Sequence, residues 1–164
     1  MYLKVLSLMA AVMLVAACET KPADTGSAGS AGNSSATSAA TTNGVTPGSA
    51  QDFQVNVGDR VFFGFDKSDL SPEARATLDR QATWLQTYRS VTVTVEGHAD
   101  ERGTREYNLA LGERRASAVK NYLVARGIDG SRLTTISYGK ERPAVAGSNE
   151  AAWAQNRRGV TVIN

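Results

Sequence analysis

Between Val91 and Leu123 the apolar pattern of this chain changes period, and that change limits what it can fold into. Val91, Val93 and Val95 alternate with Thr92, Thr94 and Glu96, which is the two-residue repeat of a strand with one apolar face. Leu109, Gly112, Ala116, Val119 and Leu123 then recur at intervals of three and four, the repeat of a helix buried along one stripe. Gly97 closes the strand, Gly127 supplies a helix stop, and Gly112 on the buried stripe predicts close packing against a neighbour.

The flanking segments extend the alternation of strand and helix. Arg60 to Phe65, RVFFGF, reads as a first strand ending at Asp66. Ser71 is placed to cap a helix with Pro72 at its first position and Glu73 in its first turn, near the positive end of the helix dipole. Ala74, Leu78, Ala82, Leu85 and Tyr88 carry that helix to about Arg89. Leu133 to Tyr138 reads as a third strand and Val160 to Ile163 as a fourth, with a short helix over Asn149 to Arg157 between them. The order β-α-β-α-β-α-β predicts an α/β sandwich, helices packed on a mostly covered four-stranded sheet.

This folded part is expected over residues 51–164. Residues 19–50 are almost wholly Ala, Ser, Thr, Gly and Asn, with Val45 the one branched aliphatic residue, so they cannot bury enough surface to offset their ordering entropy. Such a tether would span roughly 30 Å as a flexible chain and about 100 Å at full extension. Residues 1–17 have the form of a secretory leader: Lys4 precedes an apolar run, Val5 to Ala16, too short to span a bilayer. Two readings fit Val15-Ala16-Ala17-Cys18. It resembles a lipobox, after which Cys18 would be lipidated, and it also suits an ordinary small-residue cleavage site beside an incidental thiol. Glu19, where aspartate would signal inner-membrane retention in enterobacterial-type sorting, implies the periplasmic face of the outer membrane.

Composition removes other classes. With 18 Lys or Arg against 16 Asp or Glu, the net charge of +2 is too small for capture of nucleic acid. One Cys and one His exclude a disulfide framework and a structural zinc site, and no cofactor is implied.

The residues with chemistry to offer lie between Glu96 and Ser117. Asp100 follows the second strand in a loop where Gly97 and Gly103 let backbone approach a ligand closely, and it would either meet that ligand, cap the following helix or pair with Arg102 or Arg105. Asn108, Leu111 and Arg115 form one stripe beside the core stripe of the next helix, and an amide, a leucine and a guanidinium are neither a core face nor an ordinary solvated one. FGFDKSDL, GHADERG, YN, LGERRA, RLTTISYGKERP and NRR occur in this order over about a hundred residues, and together they resemble the OmpA-like peptidoglycan-binding domain in the form found in peptidoglycan-associated lipoproteins.

That resemblance implies a mixed sheet and a pocket for meso-diaminopimelate of the peptidoglycan stem peptide. Asp100 would pair with the ligand's ammonium, and Arg115 would hold the carboxylate on the same carbon with its planar fork. Phe65 aligns with a pocket wall, Asp66 with a further acceptor, Asn108 with a contact to the peptide backbone and Leu111 with the pocket floor. Ala99 stands where many relatives have threonine, so only a backbone contact is expected there. Arg158 would approach from the last strand, either touching ligand or pairing with the pocket carboxylates. Arg114 should face solvent, and His98 is expected as a structural hydrogen-bond partner. The implied partners are peptidoglycan, the outer membrane through a lipid anchor, and TolB of the Tol system, on a surface overlapping the pocket. A cell-wall hydrolase is the rival of another class, and it lacks a recognisable nucleophile or metal cluster. A flagellar stator or porin of the same domain family would need a membrane helix or barrel in addition.

Overall fold

The computed structural model describes residues 44–164, so the leader, Cys18 and most of the tether lie outside the described residues. Four strands form one mixed sheet in the spatial order β1 (Arg60–Phe62), β4 (Arg158–Ile163), β2 (Val93–His98) and β3 (Leu133–Gly139). β4 is antiparallel to both β1 and β2, whereas β2 and β3 are parallel. Parallel neighbours need a long crossover, and α3 (Arg105–Ala125) supplies it. α2 (Pro72–Thr87) joins β1 to β2, and α4 (Glu150–Asn156) joins β3 to β4, as the pattern predicts.

The helix ends are set locally. Ser71 Oγ accepts from the Ala74 amide at 3.2 Å, Thr104 Oγ1 from Tyr107 at 3.2 Å and Asn149 Oδ1 from Ala152 at 3.0 Å. Gly127, at φ +88°, ends α3 and lets the Ile128 amide reach the Leu123 carbonyl. The buried stripe of α2 is the expected one, with Ala74, Leu78, Ala82 and Leu85 inside; Gln81 joins them by donating to the Gly58 carbonyl and accepting from Thr161.

Two expectations need correction. α2 and α3 pack on the same sheet, but Phe62, Ile136 and Val162 on its other face remain 46%, 38% and 38% exposed, so one face is open rather than mostly covered. The Val/Thr alternation of β2 already carries this reason, because it hides Val93 and Val95 and leaves Thr94 and Glu96 partly in water. The first strand also stops at Phe62, three residues early, where the chain turns toward Asp66.

The folded part begins before Gln51. α1 (Ala50–Asp52) passes into a π-helical turn, Phe53–Val57, that periodicity does not reveal. Asp52 accepts from the Gly48 amide and from Trp84 Nε1, each at 2.9 Å, while Phe53 is fully buried with its ring centroid 4.9 Å from that of Trp84.

Gly97 and Gly112 meet where α3 crosses β2. A Cβ on either glycine would collide with the other's backbone, so the helix sits directly on the strand. That approach sets Asn108, Leu111 and Arg115 beside the C-terminal end of β2. At the other end of the parallel pair, Arg132 donates Nε to the Val91 carbonyl at 2.8 Å and Nη2 to the carbonyls of Leu85 and Tyr88 at 3.1 and 3.0 Å, closing the C-terminus of α2.

Candidate functional site

Beyond the C-terminal end of β2, the loop from Ala99 to Thr104 meets the start of α3 and the turn after β1. Between them lies a cleft of about 160 Å³. Phe65, Asp66, Asp100, Asn108, Leu111 and Arg115 line it together, although they come from three segments of the chain.

Arg115 is the deepest member, with no exposed surface. Its Nε donates to the Lys67 carbonyl at 2.8 Å, Nη1 to His98 at 2.7 Å and Nη2 to Gly64 at 3.1 Å, so the guanidinium joins the turn after β1 to the end of β2. One N–H remains on each terminal nitrogen. Burial draws its pKa down to about 10, against the opposing pull of Asp100, and it stays charged at neutral pH.

Asp100 is 4% exposed and wholly engaged. Oδ1 accepts from the Arg102 amide at 3.1 Å and Arg102 Nε at 3.2 Å; Oδ2 accepts from Arg102 Nη2 at 2.6 Å and Arg157 Nη1 at 3.4 Å. Burial pushes this carboxyl up, but the bonds from Arg102 and Arg157 outweigh it and hold the pKa below the usual carboxylate value. The pairing with Arg102, one of the three roles open to Asp100 in the sequence, is therefore formed, whereas the cap of α3 falls to Thr104.

Asp66 has φ +57°, the one positive value among the described non-glycine residues. Aspartate tolerates this region better than most residues, and the turn brings its Oδ1 to the Tyr107 hydroxyl, which donates to it. Asn108 spends its amide group on the loop, donating to the carbonyls of Arg102 at 2.8 Å and Thr104 at 3.1 Å. Its side-chain oxygen is the part left for a ligand. Phe65, 59% exposed, and Leu111, 5% exposed, supply an apolar rim and floor.

Two predicted residues are not brought to the cleft. Ala99 is buried and donates its amide to the Gly139 carbonyl at 2.8 Å. Arg158 turns away and donates to the carbonyls of Asn156 and Arg142 at 3.4 and 3.2 Å. Its neighbour Arg157 takes the role foreseen for Arg158. Residues alternate across a strand, and Gly159 faces the helices, so Arg157 shares that side while Arg158 shares the open side with His98. Arg157 Nε donates to the Phe63 carbonyl at 3.0 Å, and Nη2 reaches Glu150 at 2.7 Å.

Sequence reasoning assigned no ligand role to Arg102 and Tyr107, which line the cleft together with Gly103, or to Trp153, against which Arg102 packs. Tyr107 stands in the quoted YN pair and Arg102 in GHADERG, but Asp66 beside the one and Phe65 and Trp153 around the other are distant in sequence. His98 is structural, as expected: it is buried, with Nε2 3.2 Å from Glu96, and burial reinforced by Arg158 and Arg142 lowers its pKa to about 4. Arg114 is exposed.

An ionised carboxylate, a buried guanidinium, a second carboxylate and apolar walls suit a zwitterionic group carried on an aliphatic stem. Among the described residues no cluster of three or more His, Cys, Asp or Glu is placed to hold a metal ion, and no helix is long and apolar enough to cross a membrane.

Residues 62–157 match the OmpA family, a span that contains the whole cleft. A Rhizobium meliloti protein named peptidoglycan-associated lipoprotein is 61% identical over 118 residues, 72% of this chain and 67% of that one. Its namesake from Agrobacterium fabrum is 51% identical over 155 residues, covering 94% of this chain and 84% of its own length. Among solved structures, the peptidoglycan-associated lipoprotein from Burkholderia pseudomallei is 40% identical with a TM-score of 0.63, over 65% of this chain and 90% of that one. The C-terminal domain of Helicobacter pylori MotB, at 20% identity and a TM-score of 0.60, covers 65% of this chain and 84% of its own and shares the fold.

Proposed function

The chain belongs to the OmpA family and, within it, to the peptidoglycan-associated lipoproteins, and from that premise we propose that its folded part binds peptidoglycan without catalysis. The ligand group in this reading is the free end of meso-diaminopimelate, where an ammonium and a carboxylate share one carbon. Asp100 receives the ammonium, Arg115 directs its remaining N–H groups to the carboxylate, and Phe65 and Leu111 enclose the aliphatic stem. The observation that carries the proposal is the meeting of Asp66, Asp100 and buried Arg115 in one cleft of amino-acid size.

The charge state of Asp100 also favours a binder over a hydrolase. A carboxylic general acid needs a raised pKa, whereas Arg102 and Arg157 keep Asp100 ionised. Cys18 in its lipobox-like setting would carry the lipid, placing the domain on the periplasmic side of the outer membrane, with the tether reaching toward the wall. The resemblance adds TolB as a partner competing for the same surface, a relation for which family membership is the support.

Co-sedimentation of residues 19–164 with purified sacculi tests the reading. Asp100→Ala should weaken retention by about ten- to a hundredfold, the loss of a charge-assisted contact of about 1.5–3 kcal/mol, and leave the sacculi intact. Undiminished retention of a folded Asp100→Ala protein would contradict it.

A further inference from the structure

A carboxylate offers about four lone-pair positions, and Asp100 has four N–H donors, two on each oxygen. The ammonium assigned to Asp100 therefore has no open position and must replace a donor. Three donors belong to Arg102 and one to Arg157. The Arg102 amide is fixed by the chain. Arg157 is pinned, because its side chain is 7% exposed and it also bonds the Phe63 carbonyl and Glu150. The Arg102 side chain alone is free to leave: it is 31% exposed, and its other polar partner, Glu150, stands 4.0 Å away at the edge of ion-pair reach.

The surroundings of Arg102 are built for a cation that moves without being lost. Its guanidinium lies between the rings of Phe65 and Trp153, 4.0 Å from each centroid. Trp153 is held by its own Nε1, which donates to Glu101 at 3.0 Å, so that wall stays in place whichever way Arg102 turns. A guanidinium sliding along this aromatic slot would exchange Asp100 for Glu150 and remain paired.

Resting on the diaminopimelate reading above, we propose that the Arg102 side chain is an internal competitor: it occupies the ammonium's position on Asp100 in the free domain and is displaced toward Glu150 when ligand binds. A selective consequence follows. A ligand that brings only a cation exchanges one ion pair for another. A zwitterion also supplies a carboxylate to Arg115, so it gains where a simple amine does not.

Isothermal titration of residues 19–164 with the tripeptide L-Ala-D-Glu-meso-diaminopimelate tests the competitor. Arg102→Met keeps a polarizable side chain between the rings and removes the cation, and it should bind about three- to tenfold tighter than wild type. Arg102→Lys, which keeps charge without the bidentate fork, should fall between them. In wild-type protein the Arg102 Nε–H resonance should shift on saturation with the tripeptide. Wild type that binds while Arg102→Met gains nothing, Arg102→Lys that matches wild type, or an Nε–H signal that does not move would overturn the competitor and leave the clamp standing. Absence of binding by both wild type and Arg102→Met would overturn the diaminopimelate reading and the competitor with it.

Discussion

The two ends of the parallel pair β2–β3 are closed by the same device. Arg132 at one end and Arg115 at the other each donate to three backbone carbonyls. At the Arg132 end the acceptors are the last carbonyls of α2 and the Val91 carbonyl of the following turn, and the arginine ends a helix. At the Arg115 end the same stitching lies under a cleft with Asp66 and Asp100 at its side and Phe65 and Leu111 as walls. An arginine bonded to carbonyls is thus not in itself a binding group. Two carboxylates lining the same cleft, Asp66 and Asp100, are what distinguish this end from the other.

Arg115→Ala should have the largest effect. It strips three carbonyls of their donors and empties a fully buried volume, so we expect a loss of about 3–5 kcal/mol of stability in urea unfolding, together with loss of sacculus binding. Arg115→Lys should restore little, since one ammonium cannot reach carbonyls on three sides. A stable, binding-competent Arg115→Ala protein would erase the contrast between the ends.

Next in size is the response to acid. His98 lies between the Arg115 end and the open sheet face, and its carbonyl is one of the Arg115 acceptors. Its folded pKa of about 4 is below the ordinary value of 6.5, so the unfolded chain takes up the proton first. Stability is full above pH 6.5, falls as the pH drops from 6.5 to about 4, and by linkage loses about 2–3 kcal/mol over that window. Asp100, whose folded pKa is depressed, adds its own loss only at lower pH, as its unfolded form begins to protonate. Urea midpoints measured across the window check this, and a His98→Gln protein should lack the first step.

Arg132→Ala should cost less, about 1–3 kcal/mol, because its site is partly open and water can replace some of its bonds. Its binding to sacculi, compared with wild type after correction for folded fraction, should be unchanged. Weakened binding would mean that the two ends are coupled.

The cleft was legible where its geometry is local. Asn108, Leu111 and Arg115 share one helix, so spacing alone places them on a stripe, and Asp100 follows a strand whose end Gly97 marks to within one residue. The slot around Arg102 was hidden because Phe65 and Trp153 reach it from 37 positions before and 51 after in the chain. Arg157 and Arg158 show a second limit. Two adjacent arginines at a strand start exchange faces with a one-residue shift of register, and that register is set by the pairing of Gly159 with Gly97 rather than by either arginine. The turn at Phe53–Val57 escaped notice for want of a repeat long enough to show a period.

The clamp itself is tested most directly by titrating residues 19–164 with two stem tripeptides that differ only in having meso-diaminopimelate or lysine at the third position. Lysine lacks the carboxylate assigned to Arg115, so the diaminopimelate peptide should bind about ten- to a hundredfold more tightly, the worth of one charge-assisted contact of about 1.5–3 kcal/mol. Equal affinity for the two peptides would contradict the clamp and leave Arg115, like Arg132, a residue that only joins segments of the fold.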